Sequence, residues 1–253
     1  MDSKDKNKIF RREEYSKMDN ELSKNNNNRN FVFIIFVYLV AVYSIYFYLD
    51  TETITKVGRE DGPIEYLTFF FFLGASFLFL KSYILRKNLF YLLFSFIFFL
   101  GAGEEISWGQ RIFNFSTPES LNEINVQHEF NLHNIEVFNG HDFEHNRKSG
   151  LSLLLSINFL YKIFWLSFGV VLPVIVMYNK KLLLLTKRVQ IPVPPFSIGV
   201  FFLINWALFR IMRSYILQPN APFGYYFTIN ETMESGSAFI FLVLSYYFYK
   251  KEI

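Results

Sequence analysis

Apolar residues fall in six long runs, and polar segments punctuate them. The runs lie near 31–49 (FVFIIFVYLVAVYSIYFYL), 64–85, 89–110, 151–178, 196–217 and 226–249. A helix needs about 20 mostly apolar residues to cross a bilayer, and each run meets or approaches that length. The run from Leu89 does so only if its helix continues through GEEISWG. Lys162 lies inside the fourth run and Pro173 near its end, so that helix should tilt or kink. The pattern predicts an all-α polytopic membrane bundle of about six transmembrane helices. An extracytoplasmic loop with a short interfacial helix completes it. Residues 31–253 form one membrane domain. The first thirty residues are charged and end in an Asn run, so they read as a disordered cytoplasmic tail. No cleavage site follows the first run, which makes it an uncleaved anchor.

The connections set the orientation. Seventeen Lys and Arg fall in the tail, the 81–87 turn, the 179–190 loop and the C-terminus, against seven on the other side. The positive-inside rule then puts both termini in the cytoplasm, here of a bacterial inner membrane.

Composition agrees: 52% of residues are hydrophobic and 21% aromatic. A formal charge of +3 gives no reason to expect a nucleic-acid partner. The absence of cysteine excludes disulfides, iron–sulfur clusters, thiol nucleophiles and thiolate zinc sites. The bilayer is the expected partner, with a lipid or lipid-linked molecule as substrate.

Within the predicted topology the ionisable residues at the run edges gather at the outer level. These are Glu65, the pair Glu104 and Glu105, Arg210 with Arg213, and Glu231 with Glu234. Charges at membrane depth are costly and pair with one another or face water. Helical spacing would put Glu104, Ser107, Trp108 and Arg111 on one face, with Trp108 as an interfacial ring. The two arginines would oppose the acids.

The outer connection 114–149 holds all four histidines, His128, His133, His141 and His145. Ser116-Thr117-Pro118-Glu119 predicts a capping box and a short helix through Asn125. Histidine and carboxylate without cysteine form a ligand set for zinc or manganese, with Glu104, Glu105 and His133 as the candidates. His128-Glu129 and His133 are spaced one residue too far apart for a zincin motif.

EDGPIEYLTF at 60–69, GEEISWGQRIF at 103–113, the TPE step at 117–119 and NVQHEFNLHN at 125–134 resemble a pattern in uncharacterised bacterial multi-pass membrane proteins. The resemblance implies that Glu65, Glu104, Glu105, Trp108, Gln110, Arg111, Gln127, Glu129 and His133 work together. It implies no activity.

Three functions fit these residues. The first is a metal-assisted hydrolase or transferase with Glu104, Glu105, Glu129 and His133 as catalytic groups. Glu65, Trp108, Gln110, Arg111, Gln127, Arg210, Arg213, Glu231 and Glu234 would then bind the substrate. The second is a non-catalytic scaffold or sensor whose polar cluster fastens the outer loop. The third is a proton- or cation-coupled transporter.

Overall fold

The computed structural model describes residues 29–59, 61–144, 146–216 and 224–252. The predicted tail at 1–30 lies almost wholly outside them. Among the described residues the chain is helical, with only two isolated bridges, Asn125 to Ile135 and His141 to Arg147.

Among the described residues four helices are long and apolar enough to cross a membrane. They are α1 (Arg29–Tyr48), α3 (Pro63–Arg86), the rod Ile157–Tyr178, and α11 (Phe196–Ile216). The short α2 (Thr51–Val57) links the first two. A fifth, α4 (Leu89–Glu105), qualifies only with the segment Ser107–Phe113 behind it, and the pair bends by 67°. The last helix, α12 (Gly224–Glu252), is 29 residues long but less apolar.

Apolar side chains point outward along these rods. Phe33, Phe36, Phe70, Phe96 and Ile211 are all exposed, as a hydrocarbon solvent requires. Polar groups point inward. Thr228, Thr232, Ser235 and Ser245 of α12 are fully buried. Its lower apolarity thus follows from its place at the centre, against α3 and α11. Tyr38, Tyr43 and Tyr46 of α1 bond Ser235, Asn205 and Thr232 at 2.6, 2.9 and 2.8 Å. Short polar bonds of this kind hold helices together where no hydrophobic force separates helix from lipid.

The predicted fourth run is four pieces. A short α7 (Leu151–Leu154) stops before Ser156, which caps α8 (Ile157–Trp165). A π-helical stretch, Leu166–Val171, then joins α9 (Leu172–Tyr178). Pro173 is taken into the start of α9. Beyond Asn179 the expected loop is a helix, α10 (Lys180–Val189).

The connection-bearing end of the bundle is polar, and the interior below it is aromatic. Phe98 and Phe202 approach Phe241 at ring distances of 4.8 and 4.7 Å, and Phe79 and Phe248 are fully buried.

Candidate functional site

The segment behind Glu105 does not continue the helix. Ser107, Trp108 and Gly109 have φ of 45°, 54° and 79°, and the chain bends by 67° across them. The expected common face of Glu104, Ser107, Trp108 and Arg111 therefore does not exist as a helix face. The turn nevertheless returns Trp108 onto α4, where Nε1 donates to Glu104 Oε1 at 2.7 Å. Gly103 makes room for this, because a Cβ there would lie 2.9 Å from the indole. Left-handed backbone at Ser107 and Trp108 costs on the order of 1–3 kcal/mol each, and the bonds described next hold it in place. Two short helices follow, α5 (Gln110–Phe113) and α6 (Glu119–Asn122).

The second oxygen of Glu104 accepts the backbone N–H groups of Leu132 and His133 at 2.7 and 2.9 Å. His133 Nδ1 lies 3.3 Å from the same oxygen. Glu104 is thus the acceptor that fastens the loop onto the end of a membrane helix.

Glu129 organises the next layer. Its Oε2 accepts from Ser107 Oγ at 2.9 Å and from Asn131 Nδ2 at 2.7 Å, and Oε1 pairs with Arg111. Arg111 also forks onto Asp61 at 3.0 and 3.1 Å. The backbone N–H of Asp61 donates to Glu65. Gln110 donates to Thr117 Oγ1 at 2.8 Å and accepts the Phe130 N–H at 2.7 Å. Asn134 donates to Gln127 Oε1. Asn125, fully buried, donates to the carbonyls of Glu129 and Asn131 and accepts the Gln127 N–H. Together these bonds make the loop a rigid platform.

Thr117 spends its hydroxyl on the His128 carbonyl instead of a cap, and α6 stops at Asn122. The predicted capping box is therefore not formed. Asp61, Asn125 and Asn131 carry much of the platform without having been singled out from sequence. Only Asn125 had a local signal, an Asx turn onto the N–H two residues on.

Glu105 takes no part in these bonds. Its strongest charged neighbour is Glu234, followed by Glu231, Glu65 and Glu104. Glu234 in turn lies in the field of His133 and Lys162. Glu105 and Glu234 are part-buried and make no side-chain hydrogen bond or ion pair with any described residue. Tyr161, from α8, brings a buried hydroxyl, with Ser237 beside it, into the field of both carboxylates.

The remaining candidates lie apart. Arg210 and Arg213 are exposed on α11, over the rings of Trp206 and Phe209 at 5.9 and 5.8 Å. No ion pair joins either to a carboxylate among the described residues. His128 Nδ1 faces the Asn122 carbonyl at 3.0 Å, His141 is exposed in the distal loop, and His145 lies outside the described residues. Among the described residues no three His, Asp or Glu are gathered to hold a metal. Both oxygens of Glu104 accept from protein donors. No known protein family matches the chain, and no curated protein or solved structure is similar enough to count as a match.

Proposed function

We propose that the chain is a membrane-embedded hydrolase or transferase working by carboxylate acid–base chemistry on a lipid or lipid-linked substrate. The observation that carries this reading is the contrast between two adjacent residues. Glu104 is saturated by protein donors, whereas Glu105 makes no side-chain hydrogen bond with a described residue and shares its field with Glu234 and the buried Tyr161 hydroxyl. Two neighbouring carboxylates supply a base for a water or hydroxyl nucleophile. The protonated member of the pair supplies an acid for the leaving oxygen. Tyr161 can donate to an oxygen that gains charge. Substrate enters sideways from the bilayer. In this reading α4 and α12 complete six spans, and both termini lie in the cytoplasm of a bacterial inner membrane.

The purified chain in nanodiscs made from a bacterial lipid extract is expected to convert a lipid species detectable by mass spectrometry. Glu105→Gln and Glu234→Gln are each expected to slow it at least about 100-fold. No lipid conversion by the wild type, or full conversion by Glu105→Gln, would sink the proposal.

The saturated platform favours a second reading, a scaffold whose polar cluster only secures the loop. The same lipid assay separates the two, since a scaffold converts nothing. The transporter reading finds less support, because packed phenylalanines fill the bundle beneath the acids.

A further inference from the structure

We infer that α10 is an interfacial helix that binds the anionic headgroup surface of the bilayer its own bundle spans. The helix starts one residue beyond the apolar rod Ile157–Tyr178, at the point where that rod leaves hydrocarbon. Asn179 stands in extended backbone (φ −121°, ψ 100°), which ends α9 and redirects the chain. Its Oδ1 then accepts the N–H groups of Lys181 and Leu182 at 3.0 and 3.1 Å, capping the new helix. At the far end Gln190 takes a left-handed conformation, and its carbonyl accepts from Asn88 Nδ2 at 2.7 Å. That bond ties α10 to the α3–α4 turn, which carries Arg86 and Lys87. The helix is therefore anchored at both ends, at the level where two spans terminate.

Its faces identify the occupant. Thr186 is buried at 3% exposure, so the helix turns one side inward. Leu184, Leu185 and Val189 remain exposed at 66, 50 and 46%. Lys180, Lys181, Lys187 and Arg188 are exposed beside them. Exposed leucines exclude bulk water as the preferred neighbour, and four cations exclude hydrocarbon. A surface of apolar chains topped by phosphates satisfies both, the leucines entering the acyl boundary and the cations reaching up to headgroups. Each Lys or Arg near an anionic leaflet is worth about a fivefold gain in partition. This inference does not depend on the enzymatic reading.

The test is hydrogen exchange of the full chain in nanodiscs of phosphatidylglycerol and, separately, of phosphatidylcholine. Amides of 183–189 are expected to exchange about tenfold slower in phosphatidylglycerol. The difference is expected to vanish when Lys180, Lys181, Lys187 and Arg188 are all replaced by Gln, and to shrink in 0.5 M salt, where screening is stronger by roughly twofold in Debye length. Leu184→Ser with Leu185→Ser removes the apolar anchor while keeping the charges, and is expected to weaken protection in both lipids. Equal exchange in both lipids overturns the inference, as does protection that survives the four-glutamine change. Protection that appears in phosphatidylcholine only at raised protein concentration assigns the face to a second copy and also overturns it.

Discussion

Glu104 holds His133 at two points, the backbone N–H at 2.9 Å and Nδ1 at 3.3 Å, both on the same carboxylate oxygen. The contact joins the end of a membrane helix to a loop 29 residues away in sequence. It ranks as the main fastening of the platform because the same carboxylate also takes Leu132 and Trp108.

Glu104→Ala should therefore loosen the loop. It leaves three N–H donors without their acceptor, a loss of roughly 2–4 kcal/mol after partial rehydration. The expected result is a lower unfolding midpoint in detergent and faster amide exchange across 129–134. Unchanged exchange there would show that Glu104 does not anchor the loop.

Glu105→Gln and Glu234→Gln should behave oppositely. Each removes a carboxylate with no described hydrogen-bond partner from the field of others, so stability should hold or rise by something on the order of 1 kcal/mol. The check is the unfolding midpoint measured beside lipid turnover. Loss of several kcal/mol would mean that the carboxylate has a structural partner.

Gly199→Ala should be among the most damaging single-methyl additions. A Cβ on Gly199 would lie 1.9 Å from the Gly169 carbonyl oxygen, so α11 and the π-helical stretch touch backbone to backbone. Backbone cannot rotate aside, and overpacking costs about 1–3 kcal/mol. Gly140→Ala, with open space around its Cβ, is the control expected to leave the unfolding midpoint unchanged.

Asp50 caps α2, accepting the Thr53 N–H at 3.0 Å and its hydroxyl at 2.7 Å. These bonds, the backbone one foremost, hold its carboxyl below the ordinary aspartate value of about 3.9. A depressed folded value means that the stabilisation is complete above the unfolded value and disappears as pH falls through the folded one. Protection of the Thr53 and Ile54 amides is thus expected to drop below about pH 4 and to stay constant above about pH 5. Asp50→Asn should abolish that dependence. Constant protection from pH 3 to 7 in the wild type would contradict it.

Because the chain has no cysteine, introduced ones report topology cleanly. Ser116→Cys and Lys180→Cys should react with a membrane-impermeant maleimide from opposite faces of oriented vesicles. Labelling from the same face would rule out the six-span arrangement.

The main apolar runs and the helical class could be read from the chain alone, because hydropathy is a local sum and bilayer thickness a fixed length. Pro63 and Asn88 likewise open their helices as their residue types require. What only the tertiary structure decided is which neighbour each polar atom found. Local periodicity carried the α4 helix through Trp108, but a bond to Glu129, close only after folding, joins the local bond to Glu104 in holding the bend at Ser107–Gly109. The same blindness hid the division of labour between Glu104 and Glu105, which are adjacent and chemically identical. One residue step along a helix separates their side chains by about 100°, so one meets the loop and the other does not. Arg111 was equally ambiguous, since its fork closes on Asp61, 50 residues earlier. Burial of the least apolar helix, α12, at the centre follows from packing, where its hydroxyls find partners that no window of sequence contains.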